Sequence, residues 1–233
     1  MENGCKLMKP KNIHSWELSE DEALKLQLEL SSKVHAVDQF EEIQYVAGVD
    51  VAYQKEGDKL VAAVVVLDAV TLQVIETVMA EDVAVFPYIP GLFSFRELPS
   101  LIKAFEKLEH VPDLVVCDGQ GLAHPRRFGL ACHLGVMFDV PTIGCGKTRL
   151  IGDANTPGEK RGSCEPLIDN DEIVGNVLRT QDGVNPIYVS VGHRVSLETA
   201  CDWVLRLSPK YRLPETTRKA DQAVNARLKE LNM

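Results

Sequence analysis

Three apolar runs set a few residues apart early in the chain, at positions 43–53, 60–67 and 74–79, leave few folds open to it. Each has the length of a strand, and the breaks between them (Lys-Glu-Gly-Asp at 55–58, Asp-Ala-Val-Thr at 68–71) suit tight turns. Together they predict an antiparallel meander. The chain then changes character. A loop rich in Pro and Gly, Phe86-Pro-Tyr-Ile-Pro-Gly91, leads to a helix expected over 95–109, with Leu98, Leu101, Ile102, Phe105 and Leu108 at helical spacing. A strand at 114–117, a helix at 128–138 and a short strand at 142–144 follow, an alternation that implies parallel β-α-β connections. Residues 152–166 read as a loop. Strands at 173–179 and 187–191 and helices from Leu197 and from about Thr217 complete the pattern. Ahead of the meander, Ser19-Glu20-Asp21-Glu22 has the form of a capping box opening a helix through about Val34. Leu24, Leu26, Leu28 and Leu30 alternate as in a strand, so both readings stand at that point.

This order predicts an α/β fold, a mixed sheet with helices on both faces. A ribonuclease H-like architecture with additions at both ends is one of several that fit. The chain has 233 residues, 45% of them hydrophobic, enough for one buried core. We therefore expect one domain over 1–233, with a helical extension at about 15–40. No apolar run approaches the roughly 20 residues of a membrane helix, and the N-terminus lacks the apolar stretch of a secretory signal. A cytoplasmic monomer with no membrane association is expected. The six cysteines (Cys5, Cys117, Cys132, Cys145, Cys164 and Cys201) show no Cys-x-x-Cys spacing, and several sit in apolar runs as small hydrophobes. A net charge of −9 argues against a nucleic-acid partner, whose phosphates call for Lys and Arg. Binding is local, however. Acids gather between Glu17 and Glu42, whereas residues 124–161 hold Arg126, Arg127, Lys147, Arg149, Lys160 and Arg161.

Asp50 interrupts an apolar strand, where an ionised carboxylate is costly without a cation or hydrogen bonds. Asp118 ends the strand Leu-Val-Val-Cys-Asp and is followed by Gly-Gln-Gly, the place where open α/β sheets put ligands. The competing readings are a hydrogen-bonded strand residue for Asp50 and a turn-starting aspartate for Asp118. As neighbours they would repel and raise one another's pKa unless a metal shared them. Oxygen ligands of this kind favour Mg²⁺ or Mn²⁺ over zinc. Glu97 follows Ser94 by three positions and reads equally as half of a capping box. Asp221 reads equally as a surface acid.

Five segments, in order over residues 45–225, resemble the endonuclease V family. They are Val-Ala-Gly-Val-Asp50-Val-Ala-Tyr, then Pro87-Tyr88-Ile89-Pro90-Gly91 with Phe95-Arg96-Glu97. Next come Asp118-Gly-Gln-Gly-Leu-Ala-His124-Pro-Arg126-Arg127-Phe-Gly and Ile143-Gly-Cys-Gly-Lys147-Thr-Arg-Leu. Last are Val191-Gly-His193-Arg194 and Thr217-Arg218-Lys-Ala-Asp221. The resemblance implies a ribonuclease H-like, metal-dependent endonuclease that recognises inosine in DNA and cleaves the second phosphodiester bond 3′ to it, in DNA repair. It also implies that Asp50, Glu97, Asp118 and Asp221 hold metal, Mg²⁺ with Mn²⁺ able to substitute. Lys147 would stand at the scissile phosphate. Tyr88 would be a wedge, stiffened by Pro87 and Pro90, entering the gap that a flipped base leaves. Ile89, Gly91, Gly119, Gly121, His124 and Arg126 would complete the substrate contacts. Arg127, His193 and Arg194 stay without an assigned role. The compact chain leans towards the bacterial DNA-repair type, with an inosine-RNA nuclease and a non-catalytic binding module as alternatives.

Two other motifs fail on spacing. Gly146-Lys147-Thr148 would need a glycine where Pro141 stands to make a phosphate loop. His124, Cys132, His133 and Cys145 match no zinc-ligand spacing.

Overall fold

The computed structural model of the protein describes residues 8–55 and 57–231. Cys5, the first residues of the N-terminus and Glu56 of the first expected turn lie outside the described residues. In chain order the elements are α1 (Glu20–Ser31), β1 (Tyr45–Tyr53), β2 (Lys59–Asp68), β3 (Val74–Val83), α2 (Phe93–Phe105), β4 (Leu114–Cys117) and α3 (Leu130–Phe138). They continue with β5 (Thr142–Gly146), β6 (Cys164–Asp169), β7 (Glu172–Leu178), β8 (Ile187–His193), α4 (Leu197–Leu207) and α5 (Glu215–Leu231).

The strands form one eight-stranded sheet in the order β3-β2-β1-β4-β5-β8-β7-β6. The meander pairs antiparallel, β1, β4 and β5 run parallel, and β8, β7 and β6 return antiparallel. This is the ribonuclease H-like mixed sheet expected from the sequence. Alternating side chains feed two cores. On one face Val49, Val64 and Val115 meet Leu98, Leu101 and Phe105 of α2 and Leu134 of α3. On the other, Val46, Val65, Val116 and Ile143 meet Val204 of α4 and Ala220 of α5. Residues 60–67 of β2 are buried throughout, the mark of a strand covered on both sides.

Ser19 accepts from the Glu22 amide while Glu22 Oε2 accepts from the Ser19 amide at 2.7 Å, so the capping box is real and residues 20–31 are helical rather than extended. Element ends differ from expectation. α2 runs from 93 to 105 rather than 95–109, and β3 reaches 83. The larger difference is at 152–166, read as a loop, whose end is strand β6. The strand tolerates Pro166 because β6 is the outermost strand, where a missing N–H faces no partner. Its hairpin to β7 turns on Asn170 and Asp171, with φ of 52° and 62°, the left-handed pair that a two-residue turn requires. No described helix is long and apolar enough to cross a membrane.

Candidate active site

The acids converge at one end of the parallel strands. Val49 of β1 pairs with Cys117 of β4, so Asp50 and Asp118 leave neighbouring strands at the same level. Asp221 arrives on α5, which lies against β1 because residue 48 is glycine: a Cβ there would stand 2.1 Å from the Thr216 carbonyl oxygen. Glu97 comes from α2 and is 4% exposed. It is no capping residue. The helix N-cap is Leu92, without a side-chain cap, and Ser94 lies inside the helix with its hydroxyl 2.9 Å from His133 Nδ1. Glu97 instead accepts from the Tyr53 hydroxyl at 3.2 Å. Lys147, one residue beyond β5, sits 2.5 Å from Asp118 Oδ2.

The electrostatics of this group are strained. Burial, then the carboxylates of Asp118 and Asp221, push the Asp50 carboxyl up to about 7 against the pull of Lys147. Burial first, and Asp50 next, raise Glu97 well above the usual carboxylate range. Burial works against the Lys147 charge, but its bond to Asp118 and the field of Asp118, Asp50 and Asp221 outweigh it and raise its pKa. Anions so placed lack sufficient positive charge, which is the setting a divalent cation completes. The donors are all carboxylate oxygens and suit a hard ion. Among the described residues no three His, Cys, Asp or Glu side chains are grouped closely enough to hold a metal ion as they stand. Two are engaged elsewhere, Asp118 by Lys147 and Glu97 by Tyr53. The residues fit a metal that would displace those partners.

A cavity of about 350 Å³ opens beside the acids, lined among others by Gln27, Tyr88, Gly91, Gly119, Gln120 and His124. Ile89 and Pro90 also border it. Tyr88 stands at its edge 70% exposed, touching Phe93 at 6.4 Å between ring centroids, while Pro87 is exposed outside the lining. Gly91 has φ +80°, a conformation natural to glycine. Gly119 borders the cavity, but Gly121 lies beneath β8, donating to Ser190 Oγ at 2.8 Å. His124 Nε2 and Arg126 Nη2 both bond the Gly91 carbonyl, at 3.0 and 2.8 Å. Their placement supports the loop from behind.

The three residues left without a role are each bonded within the protein. Arg127 bridges Asp169 and Glu172, at 2.8 and 2.7 Å. Arg194 bonds Asp139, and His193, at the end of β8, lies between Asp139 and His35. Of the four residues rejected as a zinc set, His133 is bonded to His14 and Ser94, Cys132 to the Val191 carbonyl, and Cys145 lies in the core. Sequence reasoning missed Tyr53, Gln27 and Gln120. The first is the last residue of a strand and the second sits in a helix read from its leucines, so neither carried a spacing signal. Gln120 lies in the segment opened by Asp118, and its amide donates to the Thr148 carbonyl at 3.0 Å, bracing the turn after Lys147.

Known proteins show the same arrangement of chain. The family profile described as Endonuclease V matches residues 28–222. An Endonuclease V from Nostoc punctiforme is 52% identical over 215 residues, covering 92% of this chain and 97% of that one. The crystal structure of Endonuclease V from Streptomyces avermitilis superposes with a TM-score of 0.89 at 49% identity, over 94% of this chain and 97% of that chain. Endonuclease V from Ciona intestinalis, solved with a 23-mer DNA containing an inosine followed by a ribo-adenosine, superposes with a TM-score of 0.80 at 29% identity, over 92% of this chain and 100% of that chain. With the family profile matching most of its length and relatives about half identical over nearly all of it, the chain belongs to the Endonuclease V family.

Proposed function

We propose that the protein is a Mg²⁺-dependent endonuclease that recognises inosine in DNA and hydrolyses the second phosphodiester bond 3′ to it, as a step in DNA repair. It acts as one domain, a monomer in the cytoplasm, and Mn²⁺ can replace Mg²⁺. The observation that carries this reading is the adjacency of Asp50 and Asp118, with Asp221 and Glu97 in their field, to a cavity edged by Tyr88. The inosine-bearing DNA of the Ciona relative supports that choice of substrate.

Asp50, Glu97, Asp118 and Asp221 would hold the metal. When bound, it supplies an activated water and charge stabilisation at the phosphate. Lys147 then leaves Asp118 and sets its ammonium against a non-bridging phosphate oxygen. Tyr53 orients Glu97 by its hydroxyl. Tyr88 fills the gap in the stack, and the cavity takes the extruded base, whose weak pairing lowers the cost of flipping.

The test is cleavage of end-labelled DNA and RNA strands, each with one inosine, in Mg²⁺ and in EDTA. A Mg²⁺-dependent cut one nucleotide beyond the inosine, preferred in DNA, is expected. Preference for the RNA strand would move the substrate to inosine-containing RNA. Inosine binding without any cut would make the protein a binding module instead.

A further inference from the structure

We propose that Gln27, on α1 and remote in sequence from both the acids and the 87–91 loop, is a positioning residue that holds this loop at its working height over the base cavity. The inference rests on the inosine-directed function given above. The buried residues of α1 are Ala23, Gln27 and Leu30. They form the inward stripe of a surface helix, where an apolar residue is the ordinary occupant. A glutamine amide in that place is costly unless each of its groups is bonded.

Each of them is. Gln27 is 1% exposed. Its Nε2 donates to the Gly91 carbonyl at 2.9 Å and to the Phe128 carbonyl at 3.0 Å, and its Oε1 accepts from Arg126 Nε at 2.5 Å. One amide thus ties α1 to the main chain of the 87–91 loop and to the segment after β4. The Gly91 oxygen is the shared atom, since His124 Nε2 and Arg126 Nη2 donate to it as well. The ring of His124 is held in the tautomer this needs, because the Arg126 amide donates to its Nδ1 at 3.2 Å and leaves the proton on Nε2. Three donors meet one carbonyl that has two lone pairs, and the loop is pinned at a single point, three residues from Tyr88. Gln27 also lines the cavity into which that loop faces. Its bonds go to Gly91, Phe128 and Arg126, none of them to Asp50, Glu97, Asp118 or Lys147. Its effect therefore belongs to base extrusion and not to bond cleavage.

Gln27→Leu keeps the packing and removes all three bonds. Gln27→Glu keeps the shape and the acceptor for Arg126 but loses both donors to carbonyls. Both variants and the wild type are assayed in Mg²⁺ on an inosine-containing duplex and on the same strand alone, with Tm measured beside each. Losing the loop's anchor is expected to raise KM on duplex about tenfold in both variants, the scale of one or two lost hydrogen bonds. Turnover should fall less than KM rises, and the single strand should lose clearly less than the duplex, because no partner strand has to be parted. Should Gln27→Leu fail to fold, the isosteric Gln27→Glu decides alone. Equal losses on duplex and single strand, or no change on either, overturn the inference while leaving the nuclease function intact. If the wild type itself leaves the inosine strand uncut, the function fails and this inference with it.

Discussion

At the scale of residues, Asp50 shows what the site asks of the fold. Its carboxyl, pushed up to about 7 by burial and by Asp118 and Asp221, is a side chain the metal-free protein would do better without. Asp50→Asn should therefore lose cleavage by at least about 10²-fold. In EDTA at pH 8 it should melt higher, by about 2–4 °C for each ~1 kcal/mol of repulsion relieved. Activity and calorimetry on one preparation check both; a lower Tm with retained cutting would refute the assignment. Asp118→Ala should likewise abolish cleavage, with an unchanged far-ultraviolet circular dichroism spectrum. Asp50 and Asp118 were legible from sequence because the first interrupts an apolar strand and the second closes one. Glu97 was not, since Ser94 offered it a capping role that the helix, starting at Phe93, does not use. Gln27 was legible least of all, because what it bonds is backbone of distant segments.

At the scale of elements, the 87–91 loop and α2 make two separable claims. Tyr88→Ala should weaken binding to inosine-containing duplex by about 5- to 150-fold, as loss of one stacking side chain costs about 1–3 kcal/mol, and should spare the flexible single strand. Comparable losses on both substrates would remove the wedge. Ser94→Ala cuts the buried chain from Ser94 through His133 to His14, bonds of 2.9 and 2.7 Å. It should cost about 1–3 kcal/mol of stability for the orphaned nitrogen, read as a lower denaturant midpoint with inosine specificity kept. The meander and the β-α-β units were readable because apolar periodicity is set by burial, and burial here follows sheet faces. β6 was not: it is half exposed, carries Pro166, and owes its pairing to the Asn170–Asp171 turn, whose signal is two left-handed residues and no apolar run.

At the scale of the whole molecule, titration pulls in two directions. Burial holds His124 and His193 near 4, so between about 6.5 and 4 the unfolded chain takes up protons that the folded chain refuses, and stability falls as pH drops. Asp50 opposes this, since its raised carboxyl takes a proton in the fold before it does in the unfolded chain. In EDTA the Tm of Asp50→Asn should thus fall more steeply than wild type as pH goes from 7 to 4, its advantage shrinking towards acid. Parallel curves in a pH series of melts would contradict this.

Gly48 and α5 add a consequence in time. Asp50 stands in the first strand of the sheet, while Asp221, which bears on it, stands in the last helix, packed where a Cβ on residue 48 would not fit. A ribosome makes the first member of this pair long before the second. Every partial chain carries the earlier acids beside an uncovered strand and no cover for it. The proposed set of acids is complete only when α5 has docked, so on that proposal a growing chain that stops short of α5 should be unable to cut.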